Sequence, residues 1–458
     1  MFDIARYAKE SKTKLIGPEN TAVSNVSTDS RAVKHGDLYI AIKGPNYDGH
    51  SFIAEASQNG AVACMVSRVP DGLGKSVKNL AFLVVPDTRV GYIELARWWR
   101  NQFSPLVFGI TGSNGKTTVK DMLAKVLRAS SEDGAVLATE GNLNNDIGVP
   151  RMLLRLRASH RYVVLELGMN HAGEMGVLSK LVRPDIALIT NIGTAHIGEL
   201  GSQDAVAKAK AEIFTGVRQD GIVILNSDDA YFDFLKDQVK DKSIITFGFN
   251  DSADIRGEAL DSNRLKVVSD FCKVLIRPKV NGQHNKINML ATIAATSKLE
   301  LPQSSTQKAL EEFSGAKGRL EVTRLHSGAM LIDDSYNANP DSVSAAIRYT
   351  ASMSGTKVFV FGDMGELGTF GNAMHAAVGI EAKRRGFTHL FGIGELSRLA
   401  VESFGSGGEH FLSGKKLCER ILTSQSPESI FLIKGSRSMR MERFCLALKS
   451  GTCEQGCR

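Results

Sequence analysis

The segment Gly-Ile-Thr-Gly-Ser-Asn-Gly-Lys-Thr-Thr at positions 109–118 constrains the fold of this chain more than any other feature. It follows three apolar residues and leads into positions 119–127, where apolar residues recur at helical spacing. This order predicts a strand, a glycine-rich turn and the N-terminus of a helix. Backbone N–H groups and the positive end of the helix dipole then converge on a phosphate. Lys116 supplies a cation for the outer phosphates, and the Thr117 hydroxyl suits magnesium.

The turn departs from the usual phosphate-loop pattern, G-x-x-x-x-G-K-S/T, because Ile110 stands where that pattern has its first glycine. A glycine turn before a helix is common, but it does not explain a Lys-Thr-Thr run where the helix begins. We therefore expect nucleotide phosphates to bind here. The expected binding residues are Gly112, Ser113, Asn114, Gly115, Lys116, Thr117 and Thr118.

Length and composition predict a multidomain enzyme. A chain of 458 residues is too long to form a single ordinary hydrophobic core. Its content of 43% hydrophobic and 23% charged residues is typical of globular enzymes. Residues 1–10 have no apolar core of signal-peptide length, and no apolar run reaches roughly eighteen residues. We expect a cytoplasmic protein without a membrane span. The net charge of +7 has no basic block behind it, so nothing in the sequence supports nucleic-acid binding, and the positive excess equally suits a cleft for polyanionic small molecules.

The six cysteines show no spacing typical of a metal site. Cys453 and Cys457 lie in a glycine-rich tail without nearby histidines. We interpret both as free thiols near a frayed terminus.

Alternating apolar runs and helical patterns predict an α/β protein of three domains. Residues 1–86 form a small mixed unit with strands at 38–42, 61–66 and 81–85 and a helix at 51–59. A helix at 90–102 then leads into the phosphate loop. In residues 87–314, strands at 162–166, 186–190 and 221–225 alternate with helices, which predicts a mainly parallel sheet covered on both faces.

The remaining pattern extends this organisation. Residues 243–280 read as strands separated by turns, which predicts an antiparallel extension, and a helix follows at 284–297. Residues 315–458 have strands at 330–333, 357–361, 389–392 and 430–433, separated by helical segments. They predict a second doubly wound, Rossmann-like unit.

Two residues at strand ends predict a magnesium site together with Thr117. Glu166 ends the strand at 162–165, where a carboxylate is placed for a cation beside the phosphates. His196 follows another strand. Histidine is a less usual ligand of magnesium, and His196 taken alone is interpreted as a hydrogen-bonded loop residue. Lys208 and Lys210 lie on a predicted helix and, by spacing alone, form a solvated face.

Three polar clusters are candidates for ligand contacts. Residues 284–288 place Asn285 and Asn288 on one helical face, where amides suit an adenine edge, although asparagines at helix starts are more often caps. The polar loop at 333–342 contains Asn-Pro and leads into a helix at 343–349. It is either a turn that faces a ligand or simply a turn with an N-cap at Asp341 or Ser342. Residues 434–437 offer two cations and a hydroxyl to a carboxylate or phosphate.

Together these pieces resemble the Mur ligase family of ATP-dependent enzymes that form amide bonds. The shared pieces are 111–118, Glu166, 191–196, Lys210, 284–285, 318–321 and 339–340, in family order across nearly the whole chain. Three stretches, 27–33, 139–150 and 360–368, resemble the members that add D-alanyl-D-alanine to UDP-N-acetylmuramoyl-tripeptide for peptidoglycan synthesis.

The resemblance implies an N-terminal domain that holds the UDP-sugar, a central ATPase and a C-terminal domain that closes over ATP and the amine. It implies catalytic roles for Lys116, His196, Lys210 and Arg319, with Lys210 carbamylated as a ligand of a second magnesium; Lys208 remains an alternative. Implied ATP contacts are Asn285, Asn288, Arg319, Asp334 and Asn339. Implied substrate contacts are Ser30, Arg31, Thr139, Asn142, Asn144, Asn145, Tyr336, Asn337, Lys434, Ser436 and Arg437.

The implied cofactors are ATP and Mg²⁺, and we expect a monomer. The implied reaction passes through an acyl phosphate on the tripeptide. Alternatives are another Mur-type amino-acid ligase or a folylpolyglutamate synthase and, in a different class, a P-loop kinase or switch. A dinucleotide-dependent oxidoreductase would need Gly-x-Gly-x-x-Gly, and the nearest match at 392–397 ends in serine. Whether the third peptide residue is diaminopimelate or lysine stays open.

Overall fold

A computed structural model describes residues 1–69, 79–239, 241–261, 263–270, 273–280 and 282–453. In this part of the chain the strands form sheets of five, nine and six strands and one two-stranded ribbon. The α/β class with mainly parallel sheets is therefore confirmed. None of the described helices is long and apolar enough to cross a membrane.

The N-terminal unit is built on the five-stranded sheet, in the order β2-β7-β6-β5-β4. Its strands are parallel except for β2, which pairs antiparallel with β7. The predicted helix at 51–59 is a 3₁₀ turn, Gly49–Phe52, followed by a short α-helix. The elements are β1 (Phe2–Asp3), α1 (Ile4–Ser11), β2 (Lys14–Ile16), β3 (Ala22–Val23), β4 (Asn25–Ser27), β5 (Asp37–Ile40), α2 (Ile53–Gln58), β6 (Ala63–Val66), β7 (Ala81–Val84) and α3 (Thr88–Arg100).

The central unit is built on the nine-stranded sheet, in the order β16-β15-β14-β13-β12-β11-β8-β10-β9. Helices cover both of its faces, and the apolar residues of α3 belong to the same core as one face. The elements are β8 (Leu106–Thr111), α4 (Lys116–Ala129), β9 (Val136–Ala138), α5 (Gly148–Leu153), β10 (Tyr162–Glu166), α6 (Glu174–Val182), β11 (Ile186–Ile189), α7 (Ile197–Leu200), α8 (Gln203–Ala211), β12 (Ile222–Asn226), α9 (Phe232–Asp237), β13 (Ser243–Gly248), β14 (Ile255–Asp261), β15 (Arg264–Val268), β16 (Lys273–Ile276), α10 (Gln283–Thr296) and α11 (Gln303–Glu311).

The prediction of an antiparallel extension over 243–280 is only partly right. β13 pairs parallel with both β12 and β14, and the antiparallel ladder joins β14, β15 and β16. The helix α9 between β12 and β13 supplies the crossover that parallel strands require. β14 itself was not predicted, because Arg256, Glu258 and an exposed end give it no clear apolar alternation.

The C-terminal unit is built on the six-stranded sheet, in the order β17-β18-β22-β19-β20-β21, with only the edge strand β17 antiparallel to its neighbour. Apolar clusters lie on both faces of this sheet. The elements are β17 (Glu321–Arg324), β18 (Met330–Asp334), α12 (Pro340–Ala351), β19 (Thr356–Gly362), α13 (Gly371–Arg384), β20 (His389–Ile393), α14 (Ser397–Phe404), β21 (Gly408–Phe411), α15 (Gly414–Thr423), β22 (Ser429–Lys434) and α16 (Glu442–Ser450).

The N-cap of α12 is Asn339, so the interpretation that placed the cap at Asp341 or Ser342 is wrong. The Asn339 Oδ1 accepts a hydrogen bond from the Ser342 backbone N–H at 2.9 Å, and the Ser342 hydroxyl closes the capping box on the Asn339 N–H at 3.1 Å. Pro340 takes the first helical position, where its fixed φ is favourable and its missing N–H costs nothing.

Cys453 is not a free thiol, because it forms a disulfide with Cys418 of α15. Their Cα atoms lie 6.0 Å apart, since the chain after α16 passes back against α15. That contact spans 35 residues and has no signal in the spacing of the cysteines. Cys457 lies outside the described residues.

Candidate active site

The two glycines of the phosphate loop are required by close packing. Gly112 has a φ of +144°, and a Cβ there would lie 1.9 Å from the Thr190 hydroxyl. Gly115 caps α4 with a φ of +82°, and a Cβ there would lie 2.5 Å from the Asn288 Oδ1. Ile110 is not glycine because β8 still continues at that position and buries the side chain under α4.

Lys116 folds back over the loop. Its Nζ donates to the backbone carbonyls of Gly112 at 2.8 Å and Ser113 at 3.3 Å. Burial lowers the pKa of Lys116, while the nearby Glu166 carboxylate acts in the opposite direction. The ammonium is thus held over the turn in which the sequence predicts phosphate binding.

Glu166 lies at the centre of a buried polar cluster. The Thr117 hydroxyl donates to its Oε2 at 2.7 Å, and the Asn144 side chain donates to its Oε1 at 2.8 Å. The Glu166 backbone N–H donates to the Thr139 hydroxyl at 3.0 Å. The position follows from register, because Glu166 pairs with Ile110 at the carboxyl ends of β10 and β8. Thr117 and Glu166 are therefore brought together as the sequence predicts.

Lys210 and Lys208 differ sharply in environment. Lys210 is 1% exposed, whereas Lys208 is exposed to solvent on the same helix. Within the described chain, the Lys210 ammonium has no hydrogen-bond or ion-pair partner. Burial, with a further contribution from the positive charge of Lys116, lowers the pKa of Lys210 well below its ordinary value. Of the two lysines, Lys210 is thus the one in a buried environment that disfavours a positive charge.

His196 links the central and C-terminal units. It adopts a φ of +65° before α7, and its Nδ1 lies 2.8 Å from the Glu366 Oε2. The Gly198 backbone N–H donates to the Glu366 carbonyl at 3.0 Å. The hydrogen bond to His196 is the largest cause that lowers the pKa of Glu366. Since Nδ1 faces the Glu366 carboxylate, Nε2 is the nitrogen left for a ligand.

Glu366 was not among the predicted site residues. It lies in the segment 360–368, whose resemblance to the family was the one signal pointing there, and its left-handed backbone conformation is invisible in sequence.

Arg319 and Asn339 reach the phosphate loop from the C-terminal side. The Arg319 Nη2 donates to the Thr117 hydroxyl at 3.0 Å, and its guanidinium stacks 4.2 Å above the centre of the Tyr336 ring. The Asn339 side chain donates to the Asn114 Oδ1 at 2.9 Å. Arg319, Tyr336 and Asn339 are thereby assembled around the loop, as expected.

The Lys434 ammonium binds partners within the C-terminal unit. It is 2% exposed, forms an ion pair with Asp334 and donates to the Asn337 carbonyl at 2.9 Å. Burial raises the pKa of Asp334 against the lowering effect of Lys434. Asp334 also accepts from the Leu320 backbone N–H at 3.1 Å, which connects this pair to the segment that carries Arg319.

The other predicted residues after β22 lie beside Asn337. The Arg437 backbone N–H donates to the Asn337 Oδ1 at 3.2 Å, and the Arg437 side chain pairs with Glu442 at 3.0 Å. Ser436 is buried, with its hydroxyl 3.1 Å from that of Ser438.

The first turns of α10 lie against the loop and the C-terminal unit. Asn285 and Asn288 are buried, and Asn288 is the residue that excludes a side chain at Gly115. Burial, assisted by the charges of Lys434 and Arg348, lowers the pKa of His284 to about 4.

A further contact between units was missed by sequence reasoning. The Asp341 Oδ2 accepts from the Thr194 backbone N–H at 2.7 Å and from its hydroxyl at 2.9 Å. In the sequence Asp341 reads as a residue of a turn before a helix, and nothing local identifies its partner.

Several predicted substrate contacts are not joined to the phosphate loop by any hydrogen bond within the described chain. Ser30 is buried and donates to Glu55 at 2.6 Å, whereas Arg31 is exposed and pairs with Asp29 at 2.9 Å. Asn145 accepts from the Gly148 backbone N–H at 2.8 Å near the start of α5, and Asn142 is exposed.

Comparison with known proteins covers most of the chain. Residues 110–296 match the model of the Mur ligase middle domain, residues 318–437 match the Mur ligase glutamate ligase domain, and residues 22–81 match the Mur ligase catalytic domain model. The chain belongs to the Mur ligase family. The membership expected from the phosphate loop, Glu166, Lys210 and the Asn339-Pro340 turn is thus confirmed.

Individual Mur ligases align over nearly their whole length. The UDP-N-acetylmuramoyl-tripeptide–D-alanyl-D-alanine ligase of Escherichia coli is 38% identical over 93% of this chain and 94% of the relative. The enzyme of the same name from Haemophilus influenzae is 35% identical over 96% of each. A crystal structure of MurF from Acinetobacter baumannii superposes with a TM-score of 0.88 at 33% identity, over 97% of each chain.

Proposed function

We propose that this Mur ligase joins D-alanyl-D-alanine to UDP-N-acetylmuramoyl-tripeptide with ATP, giving the pentapeptide nucleotide of peptidoglycan synthesis. Two curated enzymes with that activity in their names are more than a third identical to it over nearly the whole chain. The observation that carries the proposal is the contact of Arg319 with Thr117, which in turn donates to Glu166. It places a cation from the C-terminal unit beside the phosphate loop and its carboxylate.

The three units divide the work. Residues 1–86, with Ser30 and Arg31, hold the UDP moiety, and residues 87–314 bind ATP and the sugar-peptide, the latter near Thr139 and Asn144. Residues 315–458 close over ATP and bring in the dipeptide beside Tyr336 and Arg437. The enzyme acts in the cytoplasm, where its nucleotide substrates are made.

The donor set fits magnesium. Thr117 and Glu166 offer a hydroxyl and a carboxylate 2.7 Å apart, and oxygen ligands are those that Mg²⁺ prefers. Carbamylation would replace the positive charge of the buried Lys210 with a carboxylate, which adds a further oxygen ligand. When bound, magnesium neutralises negative charge on the phosphates of ATP.

The reaction proceeds in two steps. The tripeptide carboxylate attacks the γ-phosphorus of ATP, so the bond to the β–γ bridging oxygen breaks and ADP leaves. The amine of D-alanyl-D-alanine then attacks the acyl phosphate, its proton is lost, and phosphate departs. Because two anions approach each other in the first step, Lys116 and Arg319 stabilise the charge that collects between them.

The C-terminal unit also protects the intermediate. An acyl phosphate hydrolyses in water, so the amine must reach it in a closed site. Three contacts join the two units around the loop: Arg319–Thr117, Asn339–Asn114 and Glu366–His196. They support a closed site from which water is excluded.

The test is phosphate release from ATP with the tripeptide nucleotide and a panel of amines. We expect release only when D-alanyl-D-alanine is present, in equal amount to the amide formed. Release with a single amino acid in place of the dipeptide would identify a different Mur-type ligase. Release or phosphoryl transfer without any amide would identify a kinase or switch.

A further inference from the structure

A cavity of about 510 Å³ lies beside the phosphate loop, between α4, the edge strand β9 and the hinge at 316–319. Its wall includes Thr117, Thr139 and Arg319. These are residues that the proposed function assigns to the phosphates and the sugar-peptide. The cavity therefore adjoins the residues that the proposed function places beside the reacting carboxylate.

The cavity wall is strongly cationic. Five basic side chains line it against two acidic ones, an excess of three positive charges; they are Lys120, Arg128, Arg155, Lys317 and Arg319 against Asp121 and Glu140.

Two of these cations are already paired. Lys120 pairs with Asp121, and Arg155 pairs with Glu140 at 2.7 Å. Arg128 and Lys317 are exposed and have no ion-pair partner among the residues that the structure describes. They are the charges that remain for an anion entering from solvent.

A neutral donor completes the wall. The His160 Nδ1 accepts a hydrogen bond from the Arg157 backbone N–H at 2.9 Å, so the proton of the neutral ring is on Nε2. This N–H group can donate a hydrogen bond to a carboxylate, whereas an ammonium has no lone pair to accept one.

We infer that this cavity receives the side chain of the third peptide residue and selects one that bears a carboxylate, such as diaminopimelate, over lysine. The inference rests on the proposed function. The α-carboxylate of the third residue is the group that attacks ATP, so its side chain is only a few bonds from the γ-phosphate. A cavity that shares Thr117 with the phosphate site is within reach of it.

Charge decides between the two side chains. A lysine side chain brings a positive charge into a wall that already has an excess of three, whereas diaminopimelate adds a carboxylate and is neutral overall. Arg128 and Lys317 are exposed, so screening limits the discrimination to about fivefold.

A second source of a carboxylate is the C-terminus of D-alanyl-D-alanine. The experiment separates the two sources by measuring the KM of each substrate in turn. Phosphate release is followed at saturating ATP with two nucleotides, identical except for diaminopimelate or lysine at the third position.

We expect the unmodified enzyme to have a kcat/KM about fivefold higher for the diaminopimelate nucleotide. The double variant Arg128→Gln, Lys317→Gln should raise the KM of that nucleotide by a similar factor. The KM of the lysine nucleotide should stay within about twofold or fall, and that of the dipeptide should not change. Arg324→Gln, at an exposed position on β17, is the matched control and should change none of these constants.

Four results would overturn the inference. Equal loss with both nucleotides would mean a general effect on the fold, and a rise only in the KM of the dipeptide would place the other carboxylate here. If the unmodified enzyme uses both nucleotides equally, the inference fails while the proposed function stands. If neither nucleotide supports release with D-alanyl-D-alanine, the proposed function fails as well.

Discussion

At the scale of single residues, Lys116 combines a structural contact with the catalytic role that we propose for its charge. Its ammonium donates to two loop carbonyls, which fix its position over the loop. A cation positioned in advance stabilises the charge that develops between carboxylate and phosphate without reorganisation.

We predict that Lys116→Ala lowers the rate of phosphate release by about 100-fold or more, because one preorganised donor at a developing charge has that effect. Binding of the UDP-tripeptide, measured by calorimetry, should persist, since the proposed function assigns its uridine end to the N-terminal unit. Lys180→Ala, at an exposed position of α6, is the control and should behave as the unmodified enzyme. If Lys116→Ala no longer bound the UDP-tripeptide, that result would contradict an independent N-terminal site for it.

Lys210 and Lys208 offer an internal comparison of the same residue type. We predict that ¹³C NMR of enzyme equilibrated with ¹³CO₂ shows a carbamate signal that is lost in Lys210→Ala and kept in Lys208→Ala. Activity should fall about 100-fold in the first variant and less than about twofold in the second. The physical reason is that Lys210 is the buried one of the two lysines, and its burial lowers the pKa of its ammonium well below the ordinary value, which favours the neutral amine. A carbamate that survives in Lys210→Ala would place the modification elsewhere.

At the scale of elements, His284 lies in the first turn of α10, where burial and the positive charges of Lys434 and Arg348 oppose its protonation. Its pKa falls from 6.5 in the unfolded chain to about 4 in the fold. Between these values the unfolded chain binds more protons, so the stability contributed by neutral His284 is lost as the pH falls from 6.5 towards 4.

We predict that His284→Gln loses less stability than the unmodified protein between pH 7 and pH 5. The difference should be about 2 kcal/mol, read as a smaller fall in the midpoint of thermal unfolding. His35→Gln, at an exposed position, is the control and should follow the unmodified protein. Equal pH dependence in His284→Gln would mean that the ring is solvated and titrates normally.

Elements with strong local signals were predictable from sequence, and those made by distant partners were not. β8, the loop and α4 follow from glycine placement and helical spacing, and β10, β11 and β12 follow from short apolar runs. β9, β17 and β21 are short edge strands whose pairing is set by their neighbours. The cap at Asn339 was missed because the rule for polar caps competed with the preference of proline for the first helical position.

At the scale of the whole molecule, the order of the pieces along the chain was sufficient to predict three units, but not how they touch. Thr117 and Glu166 were identified because each follows a recognisable element of one unit, whereas Lys210 was identified only by the resemblance to the family. The contacts of Glu366 and Asp341 were missed because their partners, His196 and Thr194, lie 170 and 147 residues away in the sequence. Long-range pairs of this kind have no local signature, and here they are the contacts that hold the units together.

This leads to a prediction about coupling between the units. Asp341 holds Thr194 through two hydrogen bonds at the boundary, and losing them favours separation of the C-terminal unit. We predict that Asp341→Ala releases more than one phosphate for each amide formed, because water then reaches the acyl phosphate before the amine does. Thr194→Val, which removes the side-chain half of the contact, should give a weaker form of the same defect. The double variant should be no worse than Asp341→Ala, since both changes disrupt one interaction.

The control for this prediction must also remove an acid from the first turn of a helix, because Asp341 interacts favourably with the dipole of α12. Asp233→Ala in α9 meets that condition at an exposed position, and it should keep the ratio of phosphate to amide at one. If Asp341→Ala slows phosphate release and amide formation equally, with their ratio unchanged, closure is not what protects the intermediate. The boundary contacts would then serve stability alone, and exclusion of water would have to come from the bound substrates themselves.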